Sequence, residues 1–253
     1  MSEFKDWFNS VPFFTRYWLA ATIVLSVLGR FGIFNYYYFI LDINQIFYKF
    51  QIWRPITAVF YYPISPSTGF HFLINCYFLY SYSQRLESGM FAGKPADYFY
   101  MLLFNWLCCV LLGLFTGFLR DHIIMDPMVL SVLYVWCQLN KDVIVSFWFG
   151  TRFKAMYLPW VLLAFNLIIS GGGILDIMGI LVGHLAFFLL FKYPQELGGP
   201  SLLTPPAFLK QIFPDTRYMG GFGTAPQERV PTRPASRIIG GHNWGRGHAL
   251  GGN

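Results

Sequence analysis

Apolar, aromatic-rich stretches recur along the chain and are separated by charged residues or by Pro and Gly. A helix needs about 20 apolar residues to cross a hydrocarbon core about 30 Å thick. Reading the apolar stretches between these breaks predicts six membrane-spanning helices. They cover residues 17–34, 70–83, 96–118, 123–138, 156–170 and 174–191. The pattern therefore predicts an all-α, six-helix membrane bundle over residues 17–193.

The two ends of the chain differ from this body. Residues 1–16 carry mixed charge and no cleavage site, so the first span is predicted to be a retained anchor. Residues 194–253 contain eight Pro and eleven Gly, a composition that predicts a flexible tail. Four apolar residues near the start of the tail recur at helical spacing: Phe208, Leu209, Ile212 and Phe213. They fit either a short interfacial helix or a transiently ordered linker.

The basic residues indicate an orientation. With both termini in the cytosol, fourteen Lys and Arg fall on the cytosolic side and four on the other. Cytosolic loops of membrane proteins carry such an excess. We therefore expect cytosolic termini and a long first loop, 35–69, on the opposite side.

The second predicted span, 70–83, is short. Its fourteen residues cover about 21 Å as a helix, less than the hydrocarbon thickness. A helix of this length either thins the bilayer locally or is shielded by its neighbours. The alternative is that the boundary is misplaced by one turn.

The first loop is rich in aromatic residues, which favours a structure lying at the membrane interface. Within it, Trp53 and Arg54 form a candidate structural motif. An Arg can anchor such a loop by donating several hydrogen bonds to backbone carbonyls while its aromatic neighbour packs.

Polar and small residues inside the spans are candidates for function. His71 and Asn75 share one face of the second span, where they can line a membrane-embedded polar site or bond a neighbouring helix. In the sixth span, Gly179 and Gly183 permit close helix packing, within this chain or in an oligomer, and His184 follows them. A histidine within a span is a functional candidate, although helix packing explains many such residues. We expect His71, Asn75 and His184 to line a lateral opening at the second and sixth spans.

Composition supports a membrane protein and narrows the chemistry. Hydrophobic residues make up 55% of the chain and charged residues 12%, with a mean hydropathy of +0.47. The net charge of +6 is not concentrated in a basic run, which argues against nucleic-acid binding. The four cysteines lie in apolar stretches without disulfide or zinc spacing, so neither a metal nor a cofactor is expected.

The order of these features resembles the rhomboid superfamily: six spans, a Trp-Arg loop, His-x-x-x-Asn in the second span and Gly-x-x-x-Gly in the sixth. Rhomboid proteases carry their nucleophile as Gly-x-Ser-Gly at the fourth span, and this chain has no such sequence. Its fourth span offers only Ser131, between bulky branched residues. Without a positioned nucleophile, no catalytic residue is expected.

Further segments are similar to the Derlin family of non-catalytic rhomboid relatives, and closest to its first subtype. They are Phe-Gln-Ile-Trp-Arg-Pro-Ile-Thr, Arg85-Leu86-Glu87, Pro95-Ala96-Asp97-Tyr98, Ser131-Val132-Leu133-Tyr134-Val135-Trp136 and Phe149-Gly150-Thr151-Arg152-Phe153-Lys154. The resemblance runs from the N-terminus through Gly199. His71 is a departure, because it restores a residue typical of rhomboid proteases.

The end of the tail strengthens the resemblance. Residues 243–251 are similar to the short box by which Derlins bind the hexameric AAA ATPase called valosin-containing protein. Its candidate contact residues are Trp244, Gly245, Gly247 and Leu250. An aromatic and an aliphatic anchor on a flexible strip suit an extended peptide lying in a groove.

The resemblance implies a protein of the endoplasmic reticulum membrane that helps to return misfolded proteins to the cytosol for ubiquitin-dependent degradation. Its implied partners are the ATPase, misfolded clients, a ubiquitin-ligase complex and the lipid bilayer, and the resemblance allows homo-oligomers. Two alternatives stay open. A protease would need Ser131 and His184, whereas a transporter would need internal repeats or intramembrane charges. Four acidic residues are expected to be solvated at span ends: Asp97, Asp121, Asp126 and Asp176.

Overall fold

The structure, a computed structural model, describes residues 2–116, 123–147, 150–170, 173–200 and 202–216. They belong to one compact unit, Met1–Tyr218, and the second unit, Met219–Asn253, lies outside them. The helices are α1 (Ser2–Ser10), α2 (Phe13–Arg30), α3 (Ile43–Lys49), α4 (Arg54–Phe60), α5 (Gly69–Phe78), α6 (Pro95–Thr116), α7 (Met125–Leu139), α8 (Leu158–Ser170), α9 (Ile174–Phe187), α10 (Tyr193–Glu196) and α11 (Ala207–Ile212).

The six predicted apolar segments are helical in the structure, as α2 and α5 to α9. Two helical segments among the described residues are long and apolar enough by themselves to cross a membrane, Pro95–Leu114 and Ile174–Glu196. Helix α2 begins after Pro12 and stops at Arg30, earlier than predicted. Gly32 follows with φ +73°, a left-handed conformation that ends helices and that glycine adopts without strain.

The helix that begins with α5 is longer than the fourteen residues predicted. It continues beyond Phe78 through the π-helical turns Leu79–Ser83 and Leu86–Met90. The polar Ser81, Ser83 and Gln84 dilute its apolar pattern, which is why the sequence placed its end too early. The predicted shortness of this span is therefore wrong.

Helix α7 lies at the centre of the bundle. Every residue of α7 from Pro127 to Cys137 is buried, and α9 packs along it. A Cβ atom built at Gly179 would lie 2.8 Å from the Pro127 carbonyl oxygen, and one at Gly183 would lie 2.7 Å from that of Ser131. Both glycines therefore face α7 of the same chain, which fills the space that a neighbouring copy would need.

The loop between α2 and α5 folds into helices α3 and α4 and a 3-10 turn, Tyr36–Tyr38. Helix α4 buries Ala58 and Val59, and the indole Nε1–H of Trp106 donates to the carbonyl oxygen of Pro55 at 2.9 Å. The middle of α6 thus holds this loop against the bundle.

The all-α prediction needs one correction, because a β-hairpin connects α7 and α8. Strands β1 (Ile144–Phe147) and β2 (Thr151–Lys154) pair antiparallel, with Ile144 opposite Lys154. Its strands are too short to stand out in a chain dominated by long apolar runs. Next to the hairpin, Lys154 donates to Asp142 at 2.9 Å, and this hydrogen bond and charge lower the pKa of the Asp142 carboxyl.

The prediction of a disordered tail from residue 194 also needs correction for its first part. Helices α10 and α11 lie within it, and Leu209 is buried. Beyond α11, the ring of Phe213 lies 5.1 Å from that of Phe14 and 5.5 Å from that of Phe99, between ring centroids. The four apolar residues near the start of the tail thus belong to a helix and its packed end.

Candidate functional site

Six polar side chains meet inside the apolar bundle, and we call them the polar cluster. They are Tyr62, His71, Asn75, Asp126, Asn166 and Asp176. Helices α5, α7, α8 and α9 and the loop before α5 each contribute at least one member. His71, Asn166 and Asp176 are exposed by only 8%, 9% and 5%. Polar groups at such depth in an apolar bundle mark candidate functional sites.

Hydrogen bonds connect the cluster from one carboxylate to the other. Asn75 Nδ2 lies 2.6 Å from Asp126 Oδ1 and 3.3 Å from His71 Nδ1. The Tyr62 hydroxyl also lies 2.7 Å from that nitrogen. On the other side of the ring, His71 Nε2 lies 3.2 Å from Asn166 Oδ1, and Asn166 Nδ2 donates to Asp176 Oδ1 at 3.0 Å.

This pattern assigns the tautomer of His71. The Asn75 amide can only donate through Nδ2, so His71 Nδ1 accepts, from Asn75 and from the Tyr62 hydroxyl. His71 Nε2–H then donates to Asn166 Oδ1, which leaves the Asn166 amide free to donate to Asp176. In this assignment His71 is neutral. The carboxylate of Asp126 accepts a hydrogen bond from Asn75, and that of Asp176 accepts one from Asn166.

Tyr62 lies outside the helices and serves as a fixed donor. Burial raises the pKa of its hydroxyl above the usual range, and the negative charges of Asp126 and Asp176 raise it further. The phenol therefore keeps its proton at physiological pH and can hold His71 in the assigned tautomer.

The cluster contains two carboxylates and neither a Lys nor an Arg side chain. Among the described residues, the ion pairs are Lys154–Asp142 and Lys192–Glu196, both outside the cluster. A small cavity between α5, α7 and α8 touches both carboxylates and the amides of Asn75 and Asn166. The arrangement can accept hydrogen bonds or positive charge from a group that enters the bundle. No set of three or more metal-ligating side chains occurs in the described part of the chain.

The expectation that Asp126 and Asp176 are solvated is wrong. Asp176 is buried, and Asp126 is half-buried and bonded to Asn75. Both stand in the first turn of their helices, where sequence alone favours solvent. Asn166 was not singled out from sequence, although a lone amide within the apolar run of α8 is the signal that could have identified it.

The second candidate histidine, His184, lies apart from the cluster. His184 is exposed on α9, and its Nδ1 lies 2.9 Å from the hydroxyl of Tyr134. Ser131 is fully buried, and its hydroxyl donates to the carbonyl oxygen of Met128 at 2.7 Å. Each residue of the candidate protease pair is thus engaged with another group.

Arg54 is buried and ties together three parts of the first loop. Its Nη1 donates to the carbonyl oxygens of Tyr37 at 2.7 Å and Ile40 at 2.8 Å, and its Nε donates to Gln51 at 2.5 Å. Trp53 stands beside it and is 46% exposed. The candidate ATPase-binding residues, Trp244, Gly245, Gly247 and Leu250, lie outside the described residues.

A second polar group joins the helices near the end of the π-helical continuation of α5, and the sequence did not predict it. Glu87 accepts hydrogen bonds from the backbone N–H groups of Phe14 and Thr15, at 2.9 and 2.8 Å. The Thr15 hydroxyl lies 2.7 Å from that of Ser83, which lies 2.6 Å from the hydroxyl of Tyr98. A carboxylate at the N-terminus of α2 satisfies amides that the helix leaves unpaired.

The sequence is similar to known proteins over nearly its whole length. A sequence model of the Der1-like family matches residues 11–207. Derlin-1 of Bos taurus is 54% identical over 252 residues, covering 99% of both chains, and Derlin-1 of Homo sapiens is 53% identical with the same coverage. Derlin-1 of Drosophila melanogaster is 48% identical over 98% of both chains. These matches confirm the resemblance to the Derlin family, closest to its first subtype.

Proposed function

Because the chain belongs to the Der1-like family, we propose that it is a non-catalytic membrane protein of the endoplasmic reticulum that helps to retrotranslocate misfolded proteins to the cytosol. The observation that carries this proposal is the polar cluster. It sets hydrogen-bonding groups inside a mostly apolar bundle, in a membrane where a client polypeptide would otherwise meet hydrocarbon.

The proposed topology has six spans, formed by α2, α5, α6, α7, α8 and α9. Both termini lie in the cytosol and the first loop lies in the lumen, as the distribution of Lys and Arg favours. On this topology the polar cluster lies toward the lumenal ends of the spans. The group around Glu87 lies at the cytosolic ends.

The cluster supports a lateral opening that differs from the one expected. The sequence placed His71 and Asn75 together with His184 of the sixth span, but the cluster joins α5 to α8 through His71 and Asn166, and α9 contributes Asp176. Helix α5 touches α8 here through polar side chains. Separation of the two helices would expose donors and acceptors that pair with a client backbone, which lowers the barrier to its passage.

The tail provides the proposed binding site for an ATP-driven motor. The box at residues 243–251 would hold the AAA ATPase valosin-containing protein where the client emerges and raise its effective concentration there. A ubiquitin-ligase complex would mark the client, and several copies of the chain are compatible with the proposal.

Proteolysis is the weaker alternative. Ser131 is buried and donates to a backbone carbonyl, and His184 is bonded to Tyr134. A serine protease needs its base within hydrogen-bonding reach of the nucleophile. Binding and passage of a client therefore fit these residues better than bond cleavage.

Client dislocation in cells that lack the endogenous protein tests the proposal. A variant carrying His71→Leu, Asn75→Leu and Asn166→Leu is expected to lengthen the half-life of a misfolded lumenal client severalfold. The matched control is His184→Leu, which removes a histidine outside the cluster and is expected to leave the half-life unchanged. Normal dislocation by a correctly inserted triple variant would refute the proposed role of the cluster.

A further inference from the structure

A wide apolar groove lies at the surface of the bundle. Helices α2, α4 and α6 form its walls, with one residue from α7. Carbon atoms form almost all of the surface that lines the groove. The volume of the groove is about 660 Å³. Ligand-binding pockets in proteins typically measure about 300–1,000 Å³. The groove is therefore large enough for an extended apolar molecule.

The groove is open along one side. Tyr17 and Leu103 on its rim are 53% and 37% exposed, whereas Trp18 and Met128 in its lining are buried. In the proposed topology this open side faces the hydrocarbon core. The molecules that surround it there are lipids, and lipid acyl chains match its lining chemically.

One end of the groove carries a positive charge. The guanidinium of Arg16 lies 5.2 Å from the ring centroid of Tyr17, a residue on the groove rim. Arg16 donates to the neutral side chain of Asn9, and none of the carboxylates in the described residues forms a salt bridge with it. Glu87, which approaches the same end of α2, is engaged by the amides of Phe14 and Thr15.

We propose that this groove binds one acyl chain of an anionic glycerophospholipid from the cytosolic leaflet, with the lipid phosphate on Arg16. Arg is suited to phosphate, since its guanidinium presents several donors in one plane. The acyl chain lies along Ala21 and Leu102 and ends beneath α4. The bound lipid fills the space between α2 and α6 and contacts α4, which belongs to the first loop.

This inference rests on the proposed membrane topology and not on the role in dislocation. Lipid binding and client passage involve different sets of side chains. The polar cluster joins α5 to α8, whereas the groove lies between α2 and α6. An assay on purified protein in vesicles therefore separates the two proposals, because it requires neither a client nor the ATPase.

The test uses the full-length chain in phosphatidylcholine vesicles that contain a small fraction of phosphatidylserine with a photoactivatable acyl chain. After illumination, labelled peptides are identified by mass spectrometry. Labelling is expected to concentrate on α2, α4 and α6. Leu103→Trp adds an indole at the partly exposed rim and is expected to reduce this labelling about tenfold, the effect of losing about 1.4 kcal/mol of binding. Its control is Leu167→Trp on α8, where the native side chain is 55% exposed.

A second variant tests the charge. Arg16→Gln is expected to remove the preference for phosphatidylserine over a photoactivatable phosphatidylcholine, whereas Lys49→Gln is expected to retain it. Labelling spread evenly over the outer helices, or unchanged by Leu103→Trp, would show bulk lipid only and overturn the site. Crosslinks between two chains through the groove would identify a second copy as the occupant and overturn the lipid assignment.

Discussion

Gly183 and Gly179 determine how closely α9 approaches α7. The carbonyl oxygens of Ser131 and Pro127 occupy the positions where larger side chains would begin. Small residues at such contacts allow backbones to pack without loss of dispersion energy. Neither glycine needs a left-handed backbone, so the constraint at these positions is space alone.

Replacement of Gly183 therefore tests this packing. Gly183→Ala is expected to destabilise the protein by about 1–3 kcal/mol, because the added methyl group forces the two helices apart. Gly89→Ala is the control, since no heavy atom lies within 4 Å of a Cβ built there. Thermal unfolding in detergent measures both. Equal stability of the two variants would mean that α9 can shift away from α7 without destabilising the protein.

Asp176 offers a second test at the scale of one residue. A carboxylate in an apolar bundle without a Lys or Arg partner is destabilising, whereas an amide of the same shape keeps the acceptor that Asn166 uses. Asp176→Asn is expected to raise stability by about 1–2 kcal/mol.

The same unfolding measurement compares this variant with Asp142→Asn, at an exposed position just before β1, which is expected to change the stability little. If the carboxylate serves client passage, Asp176→Asn will be more stable and less active in dislocation. A loss of stability on this substitution would instead indicate that the charge is compensated.

At the scale of elements, the first loop depends on Arg54 for its position. Few residues of this loop are buried, and its 3-10 turn Tyr36–Tyr38 has none. The guanidinium joins the carbonyls of Tyr37 and Ile40 to Gln51, so that one side chain substitutes for a local hydrophobic core.

Arg54→Lys is expected to loosen this loop although it keeps the charge, because an ammonium group cannot reproduce the planar set of donors. Hydrogen exchange should accelerate in residues 36–41 and 51–60, with a loss of about 2–3 kcal/mol in local stability. Lys49→Gln, an exposed residue of α3, is the control. Unchanged exchange in Arg54→Lys would show that α4 holds the loop without the guanidinium.

At the scale of the whole molecule, an apolar helical bundle is followed in the chain by a tail rich in Pro and Gly. The described part of the tail begins with α10 and α11, and Phe213 packs against Phe14 and Phe99. The start of the tail is therefore fixed at the end of α2 that the proposed topology places in the cytosol. An ATPase bound farther along the tail would be tethered at that face.

A pull-down from solubilised membranes tests the tail. Trp244→Ala combined with Leu250→Ala is expected to abolish co-purification of valosin-containing protein, since both anchors of the extended peptide are removed. Arg237→Ala, upstream of the box, is the control and is expected to bind normally. Retention of the ATPase by the double variant would place its binding elsewhere on the chain.

The sequence by itself determined the helices, the resemblance to the Derlin family and several candidate polar residues. Helical segments in apolar surroundings satisfy their own backbone hydrogen bonds, so their positions follow from local pattern. The ends of the helices were predicted less well, because polar serines interrupt the apolar pattern where α5 continues to Met90. The hairpin was not predicted, because its strands are too short to give a distinct pattern.

Only the tertiary structure decided which polar residues meet. His71 bonds Asn166, a residue 95 positions away, while His184 lies apart with Tyr134. Only the tertiary structure, likewise, buries Asp176 and brings Glu87 to the start of α2, where its carboxylate accepts a hydrogen bond from the backbone N–H of Phe14. Such contacts depend on which helices are neighbours in the bundle. Hydrophobic periodicity predicts which face of a helix is buried, but it does not predict which helix packs against that face.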